Sequence, residues 1–319
     1  EPLVEIFQHK GSSECNIDLN DPLCNFEQLP YKDFRSKFQN DLSSSPDSSF
    51  VREALGKGLL SQDRQSINPL KFGVIASTDT HLGTPGAVDE SSFQGHGGAG
   101  KSFRSSIPEG LPDDIEFNPG GLAVAWAEEN SRSAIFDAFQ RKEVYGTSGP
   151  RFIVRFFVGD NLDKNLCKNP DNISYAYANA TPMGGTIASD SLSQPSIFIS
   201  ASADSSIKDQ FIEKLQVVKG VVRNGELLTT VHDVGVTNAQ SKLDIANCEV
   251  TGSGEKAMCS VWNDPNFNSS ENAYYYVRVV ANKSCRWSHN LCLQNPEYCE
   301  ADSDASIPKV IQERAWTSP

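Results

Sequence analysis

The sequence predicts an α/β region over residues 1–150, followed by a β-rich, antiparallel sandwich-like domain over residues 151–319. Three observations carry that division. Apolar strands alternate with amphipathic helices in the first part, which is the rhythm of an α/β fold. From Arg151 onward the helical period fades into two-residue alternation. An Asn224-Gly225 pair then separates two apolar runs, the strongest short signal of a hairpin.

Taken in order, Val4, Ile6 and Phe7 are strand formers, so the chain opens on a strand. The Ser-rich stretch 43–49 reads as a loop that caps a helix starting near Phe50. That helix carries Val51, Ala54, Leu55 and Leu59 on one side. Pro69 introduces Phe72-Gly73-Val74-Ile75-Ala76, a continuous apolar run of the kind found in strands buried on both faces. Residues 83–120 are rich in Gly, Ser and Pro without periodicity, and so long a loop inside a domain is usually functional. Residues 122–126 form the next strand, and Asn130-Ser131 caps a helix with Ala134, Ile135, Ala138 and Phe139 on its apolar face. In the second part, residues 152–158, 197–201, 215–222, 227–231, 257–262 and 274–280 read as strands, with a turn at Asp264-Pro265. Several short strands at this spacing suggest a sandwich of the immunoglobulin or fibronectin kind.

Composition narrows the function. Twenty-eight Lys and Arg stand against 41 Asp and Glu, a net charge of −13, which argues against nucleic acid or an anionic membrane surface as partner. No apolar run approaches the roughly 18 residues a membrane-spanning helix needs. The opening Glu1-Pro2-Leu3 begins directly on a strand and the methionines are Met183 and Met258, so the chain is expected to be a piece of a longer protein.

Eight cysteines occur with no Cys-x-x-Cys, so disulfides are expected rather than a zinc site. Cys15–Cys24 and Cys248–Cys259 are the short loops expected to close, with one of Cys285, Cys292 and Cys299 reaching Cys167. Free buried thiols in a reducing compartment are the alternative. Disulfides place the protein in the periplasm or outside the cell. Glycosylation sequons begin at Asn172, Asn179, Asn268 and Asn282.

The chemistry-bearing residues are few. Ser77-Thr78-Asp79-Thr80-His81 follows the apolar strand 72–76. On an extended segment, residues i and i+2 point to the same side, so Asp79 and His81 would offer a carboxylate oxygen and an imidazole nitrogen to one point. That donor set suits Zn, Mn or Fe, and α/β folds place sites at the carboxyl ends of strands. A plain Asp-capped turn beside a histidine is the competing explanation. Glu5 and His9, at the end of the opening strand, are the candidate catalytic groups that would orient a ligand or bind substrate there. His96 and Lys101, in the loop His96-Gly97-Gly98-Ala99-Gly100-Lys101-Ser102, are candidate substrate-binding residues, together with Arg151. The glycine spacing is not that of a nucleotide-binding loop, but backbone amides and Lys101 would suit an anionic group.

Three long stretches then resemble one family. They are Phe72-Gly73-Val74-Ile75-Ala76-Ser77-Thr78-Asp79-Thr80-His81, Gly120-Gly121-Leu122-Ala123-Val124-Ala125-Trp126-Ala127-Glu128-Glu129-Asn130 with its continuation through Tyr145-Gly146-Thr147-Ser148-Gly149-Pro150-Arg151, and Ile311-Gln312-Glu313-Arg314-Ala315-Trp316-Thr317-Ser318-Pro319. With Glu1-Pro2-Leu3-Val4-Glu5-Ile6, they resemble the bacterial family of unknown function numbered 3604. That family looks like a branch of the PHP (polymerase and histidinol phosphatase) metal-dependent hydrolases. The resemblance implies the carboxyl half of a distorted PHP-like α/β barrel, followed by the β domain, with the C-terminal tail returning to the barrel. In that pattern Asp79 and His81 match the last ligand motif, and Arg151 sits where the barrel hands over to the β domain. PHP-like enzymes also carry a His-x-His, which this chain lacks, so its divalent metal centre is expected to be incomplete. Such a half-barrel is expected to expose apolar edges and to aggregate alone.

Two functions follow as expectations. The first is a secreted or periplasmic metal-dependent hydrolase acting on phosphate or related esters, small or polymeric. The second is a non-catalytic binding protein on the same scaffold, recognising a surface polymer or a protein partner.

Overall fold

The regular structure is mainly β-strand, in several mostly antiparallel sheets, none of which closes among the described residues. The computed structural model describes residues 2–16, 20–28, 50–93, 117–294, 296 and 308–319. The first half supplies β1 (Leu3–Gln8), β2 (Gly11–Ser12), α1 (Val51–Gln65), β3 (Gly73–Ala76), β4 (Leu122–Ala125), α2 (Arg132–Gln140) and β5 (Val144–Thr147). The second half continues with β6 (Ile153–Asp160), α3 (Asn172–Asn179), β7 (Thr181–Pro182), β8 (Pro195–Ser202), β9 (Ile212–Arg223) and β10 (Glu226–Val236). It ends with β11 (Ser241–Asp244), β12 (Glu249–Gly252), β13 (Ala257–Asn263), β14 (Ala273–Ala281), β15 (Ser284–Cys285), α4 (Trp287–Gln294), β16 (Val310–Ile311) and β17 (Arg314–Thr317).

A six-stranded sheet, in the order β10-β9-β14-β17-β5-β4, forms the middle layer. The Asn224-Gly225 turn closes its β9–β10 hairpin, both residues having positive φ as a tight hairpin turn requires. Strand β9 shows why its sequence is apolar without interruption. Val217 faces the four-stranded sheet β13-β8-β6-β7, packing with Val154 and Ile199. Its neighbour Val218 faces the other way, onto Leu55, Phe7 and Trp316. Both faces are therefore buried, as in the middle sheet of a layered fold. The outer face of the four-stranded sheet is covered by α3 through Phe157, Phe198 and Ala176.

The layer on the other side holds α1 and the three-stranded sheet β2-β1-β3. Val51, Leu55 and Leu59 of α1 are buried, four residues apart, as the helical period requires. The stretch 43–49 expected to cap this helix lies outside the described residues. Strands β1 and β3 are parallel, pairing Leu3 with Gly73 and Val4 with Val74. Gly146 of β5 lets β3 lie close against the middle sheet, since a Cβ there would meet the Ala76 nitrogen at 2.8 Å.

Four expectations change. A closed PHP-type barrel is not formed by the described strands: β1 and β3 are parallel neighbours, but their sheet is open. Residues 122–125 do not join that parallel pair; β4 pairs antiparallel with β5 in the middle sheet, whose β17 comes from the end of the chain. Helices also occur beyond Arg151, since α3 and α4 bury only Ala176 and a short apolar face at Trp287 and Leu291, too little for a visible helical stripe. The cysteines pair as Cys15–Cys24, Cys167–Cys259 and Cys248–Cys285, so the expected Cys248–Cys259 loop is replaced. Cys248 sits on the turn of the β11–β12 hairpin and is carried to β15, while Cys259 in β13 meets the segment leading to α3. Cys292 is also disulfide-bonded, and no described cysteine is free.

Candidate functional site

The carboxyl ends of β1 and β3 meet because the strands are parallel. Ser77 N donates to Phe7 O at 3.0 Å and His9 N to Thr78 O at 3.3 Å, so the two chain segments stay side by side past the strands themselves. The Ser77 hydroxyl donates to the Glu5 carboxylate, whose other oxygen accepts from Gln8 Nε2 at 3.0 Å. Glu5 is thereby oriented by both strands. A third segment closes over them. Asn118 N donates to His9 O at 2.8 Å and Gly121 N to Ser77 O at 2.7 Å. Gly120, at φ +91°, allows this approach: a Cβ would stand 2.6 Å from Thr78 Cα.

Behind that segment lies a buried charge layer. Asn118 Nδ2 donates to Glu27 Oε2 at 3.1 Å, and the Arg286 guanidinium holds the same carboxylate. The His9 imidazole, 3% exposed, stacks on Phe117 with centroids 5.3 Å apart. On another side it faces His81, centroids 6.5 Å apart and planes inclined by 28°.

Asp79 and His81 themselves are exposed. Asp79 has φ +58°, in the left-handed region that Asp tolerates better than most residues. The extended geometry assumed from the sequence therefore does not hold at Asp79, and two-residue alternation cannot set the direction of its side chain relative to His81. Glu5, His9, Asp79 and His81 nonetheless share one strand end. His96 and Lys101 lie outside the described residues.

The donor types at this end, two imidazoles and an aspartate, fit a borderline divalent metal. Both Glu5 oxygens already accept hydrogen bonds, so Glu5 suits an orienting role better than a ligand role. Among the described residues, the triads whose ligand atoms converge are Cys248, Cys285 and His289, and Cys15, Asp21 and Cys24. Each contains a disulfide, which removes the thiolates a metal would need.

Arg151 lies elsewhere, in the wall of a cleft of about 1110 Å³. Its backbone N–H donates to Asp204 Oδ2 at 2.7 Å while its side chain is exposed. The loop that leaves His81 also lines this cleft, through Leu82, Thr84, Val88 and Glu90. Sequence reasoning missed two residues of this cleft, Glu90 and Glu313. Burial, with help from Glu27 and Asp89 and against Arg286, pushes the Glu90 carboxyl up to about 8. Burial and then Glu90 push the Glu313 carboxyl upward as well. A lone Glu313 within Ile311-Gln312-Glu313-Arg314-Ala315-Trp316, a mainly buried segment, was the available signal.

A strand-end cluster of acid and imidazole groups on a layered β scaffold, tied by disulfides, is the class that fold and site define. The chain matches the model of the family described as "Protein of unknown function (DUF3604)" over residues 1–319, and it belongs to that family. No curated protein matches the chain, and no solved structure does.

Proposed function

We propose that the protein is a metal-dependent hydrolase of phosphate or related esters, working at the carboxyl ends of β1 and β3. The observation that carries this reading is the approach of His9 to His81, ring centroids 6.5 Å apart, at the strand end where Ser77 orients Glu5. Asp79 and His81 would hold a Zn, Mn or Fe ion; the His9 ring lies 6.5 Å from that of His81, and the three do not form a converging ligand triad in this structure. When bound, such an ion supplies a Lewis acid that polarises the ester and acidifies water. An imidazole nitrogen of His9 is suited to accept or return a proton, because the ring is fixed by Phe117 and by the backbone bonds on either side. Glu5, through Ser77, keeps the two strand ends in register. Arg151 stands apart from this strand end, exposed on the neighbouring cleft, and would meet only a substrate group long enough to reach it.

The finer fold reading is that β1 and β3 are strands of a PHP-like half-barrel, with the remaining ligands supplied from outside these residues. Three disulfides support an oxidising compartment, periplasmic or extracellular. No helix among the described residues is long and apolar enough to cross a membrane. The test is metal content and phosphoester hydrolysis of the protein beside an Asp79→Ala, His81→Ala variant. Loss of both metal and activity in the variant is expected; equal metal and equal activity would end the proposal. Binding of a polymer without catalysis is the second reading, favoured by the size of the Arg151 cleft. It predicts binding to a glycan array that survives EDTA.

A further inference from the structure

Two carboxyl groups in the cleft are not explained by the hydrolase reading. Glu90 Oε2 accepts from the backbone N–H of Trp287, the first residue of α4, and Glu90 Oε1 is buried with no hydrogen-bond partner. Glu313, 3% exposed and just before β17, accepts from the Ser148 hydroxyl on Oε2, and its Oε1 is likewise buried without a partner. Neither residue makes an ion pair among the described residues. Arg286 is engaged with Glu27 and the carbonyl of Phe117. Arg314 donates to the carbonyls of Leu23 and Gln312 and lies 3.7 Å over the Phe26 ring. A buried acceptor left unpaired is costly, and two acidic ones acting on each other are more so.

We propose that Glu90 and Glu313 form a binding site for a hard divalent cation, calcium by preference, which ties the loop after His81 to α4 and to the C-terminal strand. The donors are oxygens alone, the set that calcium accepts and that zinc or copper would not favour. The cleft wall adds Asp89, Asp209 and Glu249 against the single positive charges of Arg151 and Lys208, so the field favours a cation. The upward displacement of both carboxyls agrees with this, since a bound cation would take the place of the proton that otherwise neutralises the pair. With two protein carboxylates, affinity belongs to the weak class of extracellular calcium modules, on the order of 10⁻⁴–10⁻³ M.

The site is independent of Asp79 and His81, and the test separates the two. Calcium is titrated into the protein by calorimetry. Terbium is then added, with the indole of Trp287, the residue whose backbone N–H donates to Glu90, as the sensitiser. The account expects saturable calcium binding and Trp-sensitised terbium emission that calcium displaces. Glu313→Gln and Glu90→Gln should each weaken calcium binding at least tenfold while keeping a cooperative melt, because each removes a repulsive charge. Asp79→Ala, His81→Ala should bind calcium as the unaltered protein does. No calcium binding at millimolar concentration, equal binding in both glutamine variants, or a single proton taken up near neutral pH with no response to calcium would each overturn the proposal.

Discussion

Glu14 Oε1 accepts a hydrogen bond from Arg278 Nη1 at 2.9 Å, joining the segment after β2 to the centre of β14. The same oxygen accepts from Arg52 Nη2 at 2.8 Å and from the Tyr276 hydroxyl at 2.7 Å, while Oε2 accepts from Trp316 Nε1. Asp21 completes the cluster with ion pairs to both arginines. All of it is buried, so breaking one partner leaves uncompensated charge. Glu14→Gln is expected to cost about 3–5 kcal/mol in denaturant unfolding. A cost below about 1 kcal/mol, the range of an exposed ion pair, would contradict this arrangement.

The same carboxylate gives stability a pH dependence. Burial alone would raise its pKa, but Arg278, Arg52 and Arg314 outweigh that and hold it well below the ordinary value of 4.5. The unfolded chain therefore takes up the proton first as pH falls. Stability from Glu14 is complete above the unfolded value and is lost progressively below it. Melting temperature should fall steeply on acidification below pH 4.5, and the slope should be shallower in Glu14→Gln. Parallel profiles for the two proteins would refute the assignment.

Cys167 and Cys259, 92 residues apart, tie the segment before α3 to the outer face of the four-stranded sheet. Closing a loop of that length restricts the unfolded chain by about 4–5 kcal/mol. A Cys167→Ala, Cys259→Ala variant should melt well below the unaltered protein, and an unchanged melting temperature would argue against this pairing.

Asp79 separates ligand chemistry from fold. Its left-handed backbone costs an ordinary residue about 1–2 kcal/mol, a penalty that glycine escapes. Asp79→Gly should leave stability within about 1 kcal/mol, because glycine also adds entropy to the unfolded chain. Asp79→Val should lose about 1–3 kcal/mol at that φ. Equal unfolding midpoints for the two variants would contradict the left-handed conformation.

Asn282 illustrates a sequence signal that burial cancels. It begins a glycosylation sequon, yet it is buried and its side chain bonds the backbone of Phe211 and Asp209. Asn179 and Asn268 are exposed. Peptide mapping of protein from a eukaryotic secretory host should find glycan at those two and none at Asn282.

Local patterns were legible where one face of an element is buried. The hairpin at Asn224-Gly225, the stripe Val51, Leu55 and Leu59, and the strand ending at Ala76 all follow from period and turn chemistry. Pairing was not legible, since an apolar run such as 122–125 suits a parallel or an antiparallel neighbour equally. Helix α3 escaped notice because Tyr175 and Tyr177 are exposed and Ala176 alone is buried, so no apolar stripe marks it. Within the candidate site, Glu5 and His9 could each be assigned to a strand end, which is a local feature, but their meeting with the segment of Asp79 and His81 depends on the parallel pairing of β1 with β3. Glu90 and Glu313 could not, because tertiary folding alone brings the loop after His81 to the last strand.

The central claim is that Asp79 and His81 hold a metal at the end of β3. Anomalous diffraction at the zinc edge, from crystals grown with zinc, tests it most directly. The account predicts a peak about 2.0–2.2 Å from an Asp79 oxygen and a His81 nitrogen, with the His9 ring facing it. A map featureless at that strand end, with zinc bound elsewhere or not at all, would contradict it.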